Sequence, residues 1–201
     1  MLFKSNDKLT LQLKNLGINN WNELTKYIQN LPYGRNENRH DLSLVLTEQK
    51  GTCSSKHAFL KKIADLNEIE NVKLYIGIYK MNSSNTPKIG NILSENEFGY
   101  QLDYIPEAHC YLKINGIEQD FTNPAVVGVL TDDLYSDFEK LRNDILKEVE
   151  IEAHQVNEFK VNYHQSFLRK WIERENKTSD FVINFDTIWK LREQCIANLT
   201  D

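Results

Sequence analysis

Two short alternating runs joined by Asn115-Gly116 constrain this chain more tightly than any other feature. The first is Glu107-Ala108-His109-Cys110-Tyr111-Leu112-Lys113-Ile114, and the second is Ile117-Glu118-Gln119-Asp120-Phe121. Asn-Gly between alternating runs predicts a two-residue type I′ hairpin, because both turn positions need positive φ. A turn of that length fixes the register: Ile114 faces Ile117, Lys113 faces Glu118, Leu112 faces Gln119, and Tyr111 faces Asp120. Side chains alternate across a strand, so His109, Tyr111, Lys113, Glu118 and Asp120 share one face, predicted to be polar. Cys110, Leu112, Ile114, Ile117 and Phe121 share the mostly apolar face, together with Gln119. On the polar face His109 and Asp120 are diagonal neighbours, roughly 5.5–8 Å apart between Cα atoms, which lets a carboxylate hold an imidazole nitrogen.

About fifty residues earlier, Lys50-Gly51-Thr52-Cys53-Ser54-Ser55-Lys56-His57-Ala58-Phe59-Leu60 runs from a turn into a helical pattern that opens on a cysteine. At a helix N-terminus, unpaired N–H groups and the helix dipole favour thiolate, lowering a thiol's pKa from about 8.5. Nucleophile, general base and orienting carboxylate are then available in the chain order Cys53, His109, Asp120. Each has a bland reading: a small buried cysteine, and a structural histidine on a half-buried hairpin.

These residues, with Asp120-Phe121-Thr122-Asn123-Pro124 closing the stretch, resemble the core of the transglutaminase-like superfamily over roughly Pro32 to Pro124. The resemblance implies a papain-like arrangement and acyl-transfer chemistry on an amide. It makes Cys53 the nucleophile, His109 the base and Asp120 the orienter. The aromatic residue that many members place before the cysteine for the oxyanion hole has no clear counterpart, and Gln49 is the nearest amide side chain. Tyr33 and Arg35, in the turn that precedes the cysteine segment, are further candidates to line the cleft, Arg35 as a fork for a substrate carboxylate. A solvated arginine is the competing reading.

The rest of the chain supplies the frame. Leu9, Leu13 and Leu16 mark a helix ended by Gly17, and Asn20 caps a second helix carrying Trp21, Leu24, Tyr27, Ile28 and Leu31. From Cys53, the apolar positions Ala58, Phe59, Leu60, Ile63, Ala64 and Leu66 predict a packed helix with Lys56, Lys61 and Lys62 on its solvent side. His57, four residues after Cys53, is a rival base ranked below His109, for want of an orienting carboxylate in the local sequence. Val72 to Tyr79 alternates as a strand of the hairpin's sheet, and Asn82 to Asn91 reads as a loop. Further on, Asp132 to Asn143 is predicted helical and Val149 to Glu152 a strand. Gln155 to Glu175 is predicted to be a helix with a core stripe of Phe159, Tyr163, Phe167 and Trp171. A closing helix runs from about Asp186, with Asp186 as its cap and Cys195 buried and inert. His154 and His164 read as structural or exposed.

The expected fold is therefore α+β: a papain-like, transglutaminase-like core whose antiparallel sheet packs on the cysteine helix, with extra helices at both ends. It is expected as one domain, with N-terminal helices over 1–31, the catalytic core over 32–130 and a mostly helical extension over 131–201. A length of 201 residues and a net charge of −5, with a pI near 5.6, give no bias toward nucleic acid or an anionic membrane. Three cysteines do not suggest a disulfide framework, no apolar run is long enough to span a bilayer, and no secretion signal is read at the N-terminus, so a reducing cytoplasm is expected. Cys53, His57, His109 and Cys110 fit no closed zinc motif, and neither a metal nor a cofactor is expected. The expected activity is thiol-dependent acyl transfer on a peptide or other amide-containing substrate, by hydrolysis or transamidation. The alternatives are a non-catalytic binding module of the same fold and a thiol redox or metal sensor using Cys53 and Cys110.

Overall fold

In the computed structural model, residues 2–99, 101–122, 154–156, 165–166, 168–170, 172–174 and 184–200 are described. The elements are α1 (Lys8–Asn15), α2 (Trp21–Asn30), α3 (Leu44–Thr47), α4 (Cys53–Leu66), β1 (Val72–Met81), a 3-10 turn (Pro87–Ile89), α5 (Gly90–Ser94), β2 (Ile105–Ile114), β3 (Ile117–Gln119), β4 (His154–Val156) and α6 (Phe185–Thr200). The expected α+β class is what the chain adopts: helices with a four-stranded antiparallel sheet in the order β3-β2-β1-β4. The chain divides into two compact units. The first takes the described residues of Met1–Tyr75, Cys110–Pro124 and His154–Phe159; the second takes those of Ile76–His109, Ala125–Ala153 and Lys160–Asp201.

In the first unit α1, α2 and α3 pack against α4. Asp7 caps α1 by accepting the Leu9 N–H, and Asn20 caps α2, as expected, by accepting the Glu23 N–H at 3.0 Å. Leu13, Leu24, Ile28, Phe59, Leu60, Ile63 and Leu74 are fully enclosed in one core, each worth about 1.5–3 kcal/mol of burial. A helix surrounded on all sides is buried all round, and every α4 residue from Cys53 to Leu60 is buried. Lys56 is among them at 0 % exposure, which corrects the expectation that it lies on the solvent side.

The hairpin forms in the expected register, with Leu112 opposite Gln119, Lys113 opposite Glu118 and Ile114 opposite Ile117. Asn115 at φ 53° and Gly116 at φ 83° make the turn. Lys113 and Glu118 form a 3.0 Å ion pair near its tip. The face expected to be polar is covered further in: His109, Tyr111 and Asp120 are all buried. Tyr111 is shielded by stacking on Tyr75 of β1 at 5.7 Å between ring centroids.

In the second unit, α6 packs against α5 and the 3-10 turn, so the stretch expected as a loop from Asn82 to Asn91 holds two short helical turns. Arg192 of α6 makes a buried double contact with Glu107 of β2, Nη2–Oε1 at 2.8 Å and Nε–Oε2 at 2.5 Å. Such a forked pair compensates two charges that burial alone would penalise. The cap of α6 is Asn184, whose Oδ1 accepts the Thr187 N–H at 2.9 Å; Asp186 lies inside the first turn instead.

His154–Val156 form β4 beside β1, so the helix expected from Gln155 begins later, and residues 165–166, 168–170 and 172–174 are helical. The expected helix over 132–143, the expected strand over 149–152, the aromatic stripe at 159, 163, 167 and 171, and His164 lie outside the described residues. No helix among the described residues is long and apolar enough to cross a membrane.

Candidate functional site

Cys53 is the first residue of α4, and the chain reaches it through a capping box. The Ser55 N–H points to Thr52 Oγ1, and Ser55 Oγ accepts the Thr52 N–H at 2.9 Å. Ser54 Oγ meets Thr52 Oγ1 at 2.9 Å. These hydroxyls hold the helix start rigidly in a place where water does not reach, since Thr52, Ser54 and Ser55 are all buried. Polar side chains are tolerated there because each finds a hydrogen bond.

Behind the thiol, α4 presents Lys56 and His57, at three and four residues' spacing on the same side of the helix. His57 Nε2 accepts the N–H of Phe121 at 2.7 Å. Its Nδ1 therefore carries the proton and donates it to the Cys53 carbonyl at 2.7 Å; the hydrogen-bond network assigns this tautomer. Asp120 Oδ1 lies 3.3 Å from the same Nε2 and accepts the Thr122 N–H at 2.8 Å. The ring thus joins the start of α4 to the end of the hairpin's second strand.

His57 has no carboxylate in its local sequence, and the fold supplies one from far along the chain, Asp120. What disqualifies the ring as a base is that both nitrogens are engaged by backbone, so no lone pair is left for a thiol proton.

Lys56 extends its stem beneath Gly51. A Cβ on Gly51 would sit 2.9 Å from Lys56 Cγ and 2.9 Å from Ser55 Oγ, so this position accepts no larger residue without displacing one of them. Gly51 is itself pinned by its N–H to the Pro32 carbonyl at 3.1 Å and by the Gly34 N–H to its own carbonyl at 3.4 Å. The Lys56 ammonium ends on the Leu31 carbonyl at 2.6 Å. Burial pushes its pKa from 10.5 down to about 7, against the pull of the negative charges on Asp120 and Cys53.

The remaining expected site residues are spread around these. Tyr33 and Arg35, flanking Gly34, are half-buried in the turn that hydrogen-bonds to Gly51. Gln49 is exposed, with left-handed backbone at φ 51°. His109 is buried on β2 with its ring edge-on to Tyr79, centroids 6.3 Å apart. Cys110 is fully buried. Cys195 is buried beside Glu107, and burial together with that carboxylate pushes its thiol up to about 12, despite the opposing Arg192 charge.

Among the described residues no group of three His, Cys, Asp or Glu side chains is disposed to hold a metal ion. A groove of about 370 Å³ lies at the hairpin tip, lined by Asn71, Lys73, Tyr75, Lys113, Asn115 and Gly116. Its lining includes neither Cys53 nor Asp120.

No protein-family model, no curated protein and no solved structure matches this chain. The functional reading therefore rests on the residues themselves. Lys56 is the participant that reasoning from sequence missed. The signal was present: Cys53, Lys56, His57 and Leu60 follow the i, i+3, i+4, i+7 stripe of one helix face, and Gly51 stands ahead of the cap.

Proposed function

We propose that the chain is a thiol-dependent acyl-transfer enzyme acting on an amide or peptide bond, built on a papain-like, transglutaminase-like core. The observation that carries the reading is the cluster of buried ionisable side chains, Lys56, His57 and Asp120, around a cysteine at a helix start. Burying such groups costs stability that a purely structural helix start has no reason to spend, and clusters of this kind mark reactive sites.

In this reading Cys53 Sγ attacks the amide carbonyl carbon, forming a C–S bond while charge develops on the carbonyl oxygen. The Cys53 N–H and the Gln49 amide are the candidate donors to that oxyanion. His109 takes the thiol proton and delivers it to the leaving nitrogen as the C–N bond breaks. Water or a second amine then resolves the thioester, regenerating the thiol. Asp120, whose Oδ1 lies 3.3 Å from His57 Nε2, is the orienting carboxylate that the resemblance implies. The assignment of His109 comes from the register that the Asn115-Gly116 turn implies, carried beyond the observed pairing of Leu112 with Gln119. Arg35 and Tyr33 are the candidates for substrate contact.

A second reading, a binding module that performs no chemistry, is favoured by one observation: Cys53 is only 7 % exposed, so substrate access is narrow. One experiment separates the two. The protein is treated with p-nitrophenyl acetate and with iodoacetamide across pH 5.5–8.5, and Cys53 is followed by peptide mass spectrometry in wild type and His109→Ala. A hydroxylamine-labile acetyl group on Cys53, formed with a rate that depends on His109, supports the enzyme. A thiol that stays unmodified, or one indifferent to His109, overturns it and leaves the binding module.

A further inference from the structure

We propose that the groove at the hairpin tip is a binding site for a small phosphomonoester, a phosphate dianion on a compact hydroxylated body, held between Lys73 and Lys113. The groove has a volume of about 370 Å³ and is lined by Asn71, Lys73, Tyr75, Lys113, Asn115 and Gly116, all of them in the first compact unit. Neither Cys53 nor Asp120 takes part, so this site stands independently of the acyl-transfer reading.

Its construction begins with the strands. Lys73 and Tyr75 are alternate residues of β1 and share a face, and Lys113 comes from the neighbouring β2. Lys113 is held from two directions: its Nζ lies 4.8 Å from the centroid of the Tyr75 ring and 3.0 Å from Glu118 Oε1. Tyr75 is in turn stacked on Tyr111, 5.7 Å between centroids, and its hydroxyl donates to Gln155 Oε1 at 3.4 Å. The ammonium is thus mounted on a braced ring, which spares the ordering cost that a loose lysine incurs on binding.

The rim is braced as well. Asn71 and Asn115 both hold left-handed backbone, at φ 59° and 53°, and the Asn115 N–H donates to the Asn71 carbonyl at 3.1 Å. Glycine adopts that backbone at no steric cost; asparagine adopts it and adds a carboxamide with two N–H donors and an acceptor. Gly116 leaves the mouth open, since even an added Cβ would meet nothing within 4 Å.

The chemistry of the lining selects the ligand. Two ammoniums from adjacent strands gather positive charge on a chain whose net charge is −5, and Glu118 offsets only part of it through Lys113. Lysine is a point charge with three donors, suited to an anion whose oxygens point in several directions, and the lining offers no arginine fork to match a planar carboxylate. A phosphate ester carries a charge of about −1.5 to −2 near neutral pH and three acceptor oxygens, enough for both lysines at once. The volume lies in the range of about 300–1,000 Å³ usual for small-molecule sites, more than a bare oxyanion fills. The two carboxamides suit hydroxyl groups on the remaining body. That body is not aromatic, because the Tyr75 ring is already engaged by Tyr111 and Lys113.

The test is a ¹H–¹⁵N NMR titration of the full chain with glycerol phosphate, inorganic phosphate and glycerate at constant pH and ionic strength. The expected result is saturable shifts confined to the amides around Asn71, Lys73, Lys113 and Asn115, with glycerol phosphate the tightest ligand and glycerate about tenfold weaker. Lys73→Met and Lys113→Met should each weaken glycerol phosphate about three- to tenfold; Lys73 is exposed, so its variant removes charge without disturbing the core. Glu118→Gln, which removes the carboxylate that competes for Lys113, should strengthen binding. Glycerate binding as tightly as glycerol phosphate overturns the phosphate assignment, and inorganic phosphate binding as tightly overturns the ester. Shifts scattered over lysines outside the groove, or an affinity unchanged in both lysine variants, overturn the site itself.

Discussion

Replacing Lys56 by methionine should make the protein more stable at pH 7 and should erode that advantage as the pH rises. The folded amine titrates near 7, whereas an unfolded lysine titrates at 10.5. Between those values the unfolded chain binds one proton more than the native state, so wild-type stability rises with pH across the window. At 1.36 kcal/mol per unit, holding the ammonium in its enclosure costs about 4–5 kcal/mol well below pH 7. Methionine keeps the stem's volume and drops the charge; the hydrogen bond to Leu31 that it forfeits is worth about 1 kcal/mol. Integrated from pH 7 to pH 9, wild type should regain roughly 2 kcal/mol relative to Lys56→Met. For a chain of this length that is about 4–8 °C in Tm. The assay is urea unfolding followed by tryptophan fluorescence at pH 6, 7, 8 and 9, with both proteins side by side. Two parallel stability curves, or a Lys56→Met protein less stable than wild type at pH 7, would refute the reasoning.

Gly51→Ala should destabilise by about 1–3 kcal/mol, the range for forcing extra atoms into a packed site, and part of that cost should vanish in a Lys56→Ala background, as a double-mutant cycle by urea unfolding would reveal. His57→Ala leaves the Phe121 N–H and the Cys53 carbonyl without the ring that joined them, and should cost about 3 kcal/mol from cavity and lost hydrogen bonds combined; native-state hydrogen exchange should show the Phe121 amide losing protection more than the amides of α2. Glu107→Gln takes the buried carboxylate from the Arg192 guanidinium and leaves it the Glu193 contact at Nη1, and should cost about 3 kcal/mol in thermal unfolding. Gly116→Ala meets no atom within 4 Å yet must hold φ at 83°; a loss of about 1 kcal/mol or more from backbone strain alone is expected.

What could be read in advance divides along the reach of the interactions. The hairpin register follows from the Asn115-Gly116 turn and the alternation on each side of it, all within a dozen residues. The Asn20 cap and the helix start at Cys53 are equally local. Lys56 was misplaced because a helical wheel sends a lysine to water. Its burial depends on Leu31, twenty-five residues away, and on a glycine five positions earlier that has no side chain to announce its purpose. The role of His57 was hidden for the same reason, since the N–H it accepts lies sixty-four residues along the chain. The polar face of the hairpin turned out to be covered because Tyr75, on another strand, closes over Tyr111. Glu107 and Arg192, eighty-five residues apart, gave no sequence signal that they would meet.

The span of these contacts also orders events in time. The hairpin closes over a two-residue turn and can form in about 1–10 μs. The surroundings of Cys53 must wait for the Leu31 carbonyl, the Gly51 turn and the Asp120-Phe121 segment to be gathered from across more than ninety residues, a non-local closure that slows folding. Until that gathering is complete, Lys56 on a nascent or unfolded chain stands in water as an ordinary lysine. The low pKa that burial gives it is therefore a property of the finished fold, acquired only once the last distant piece has docked.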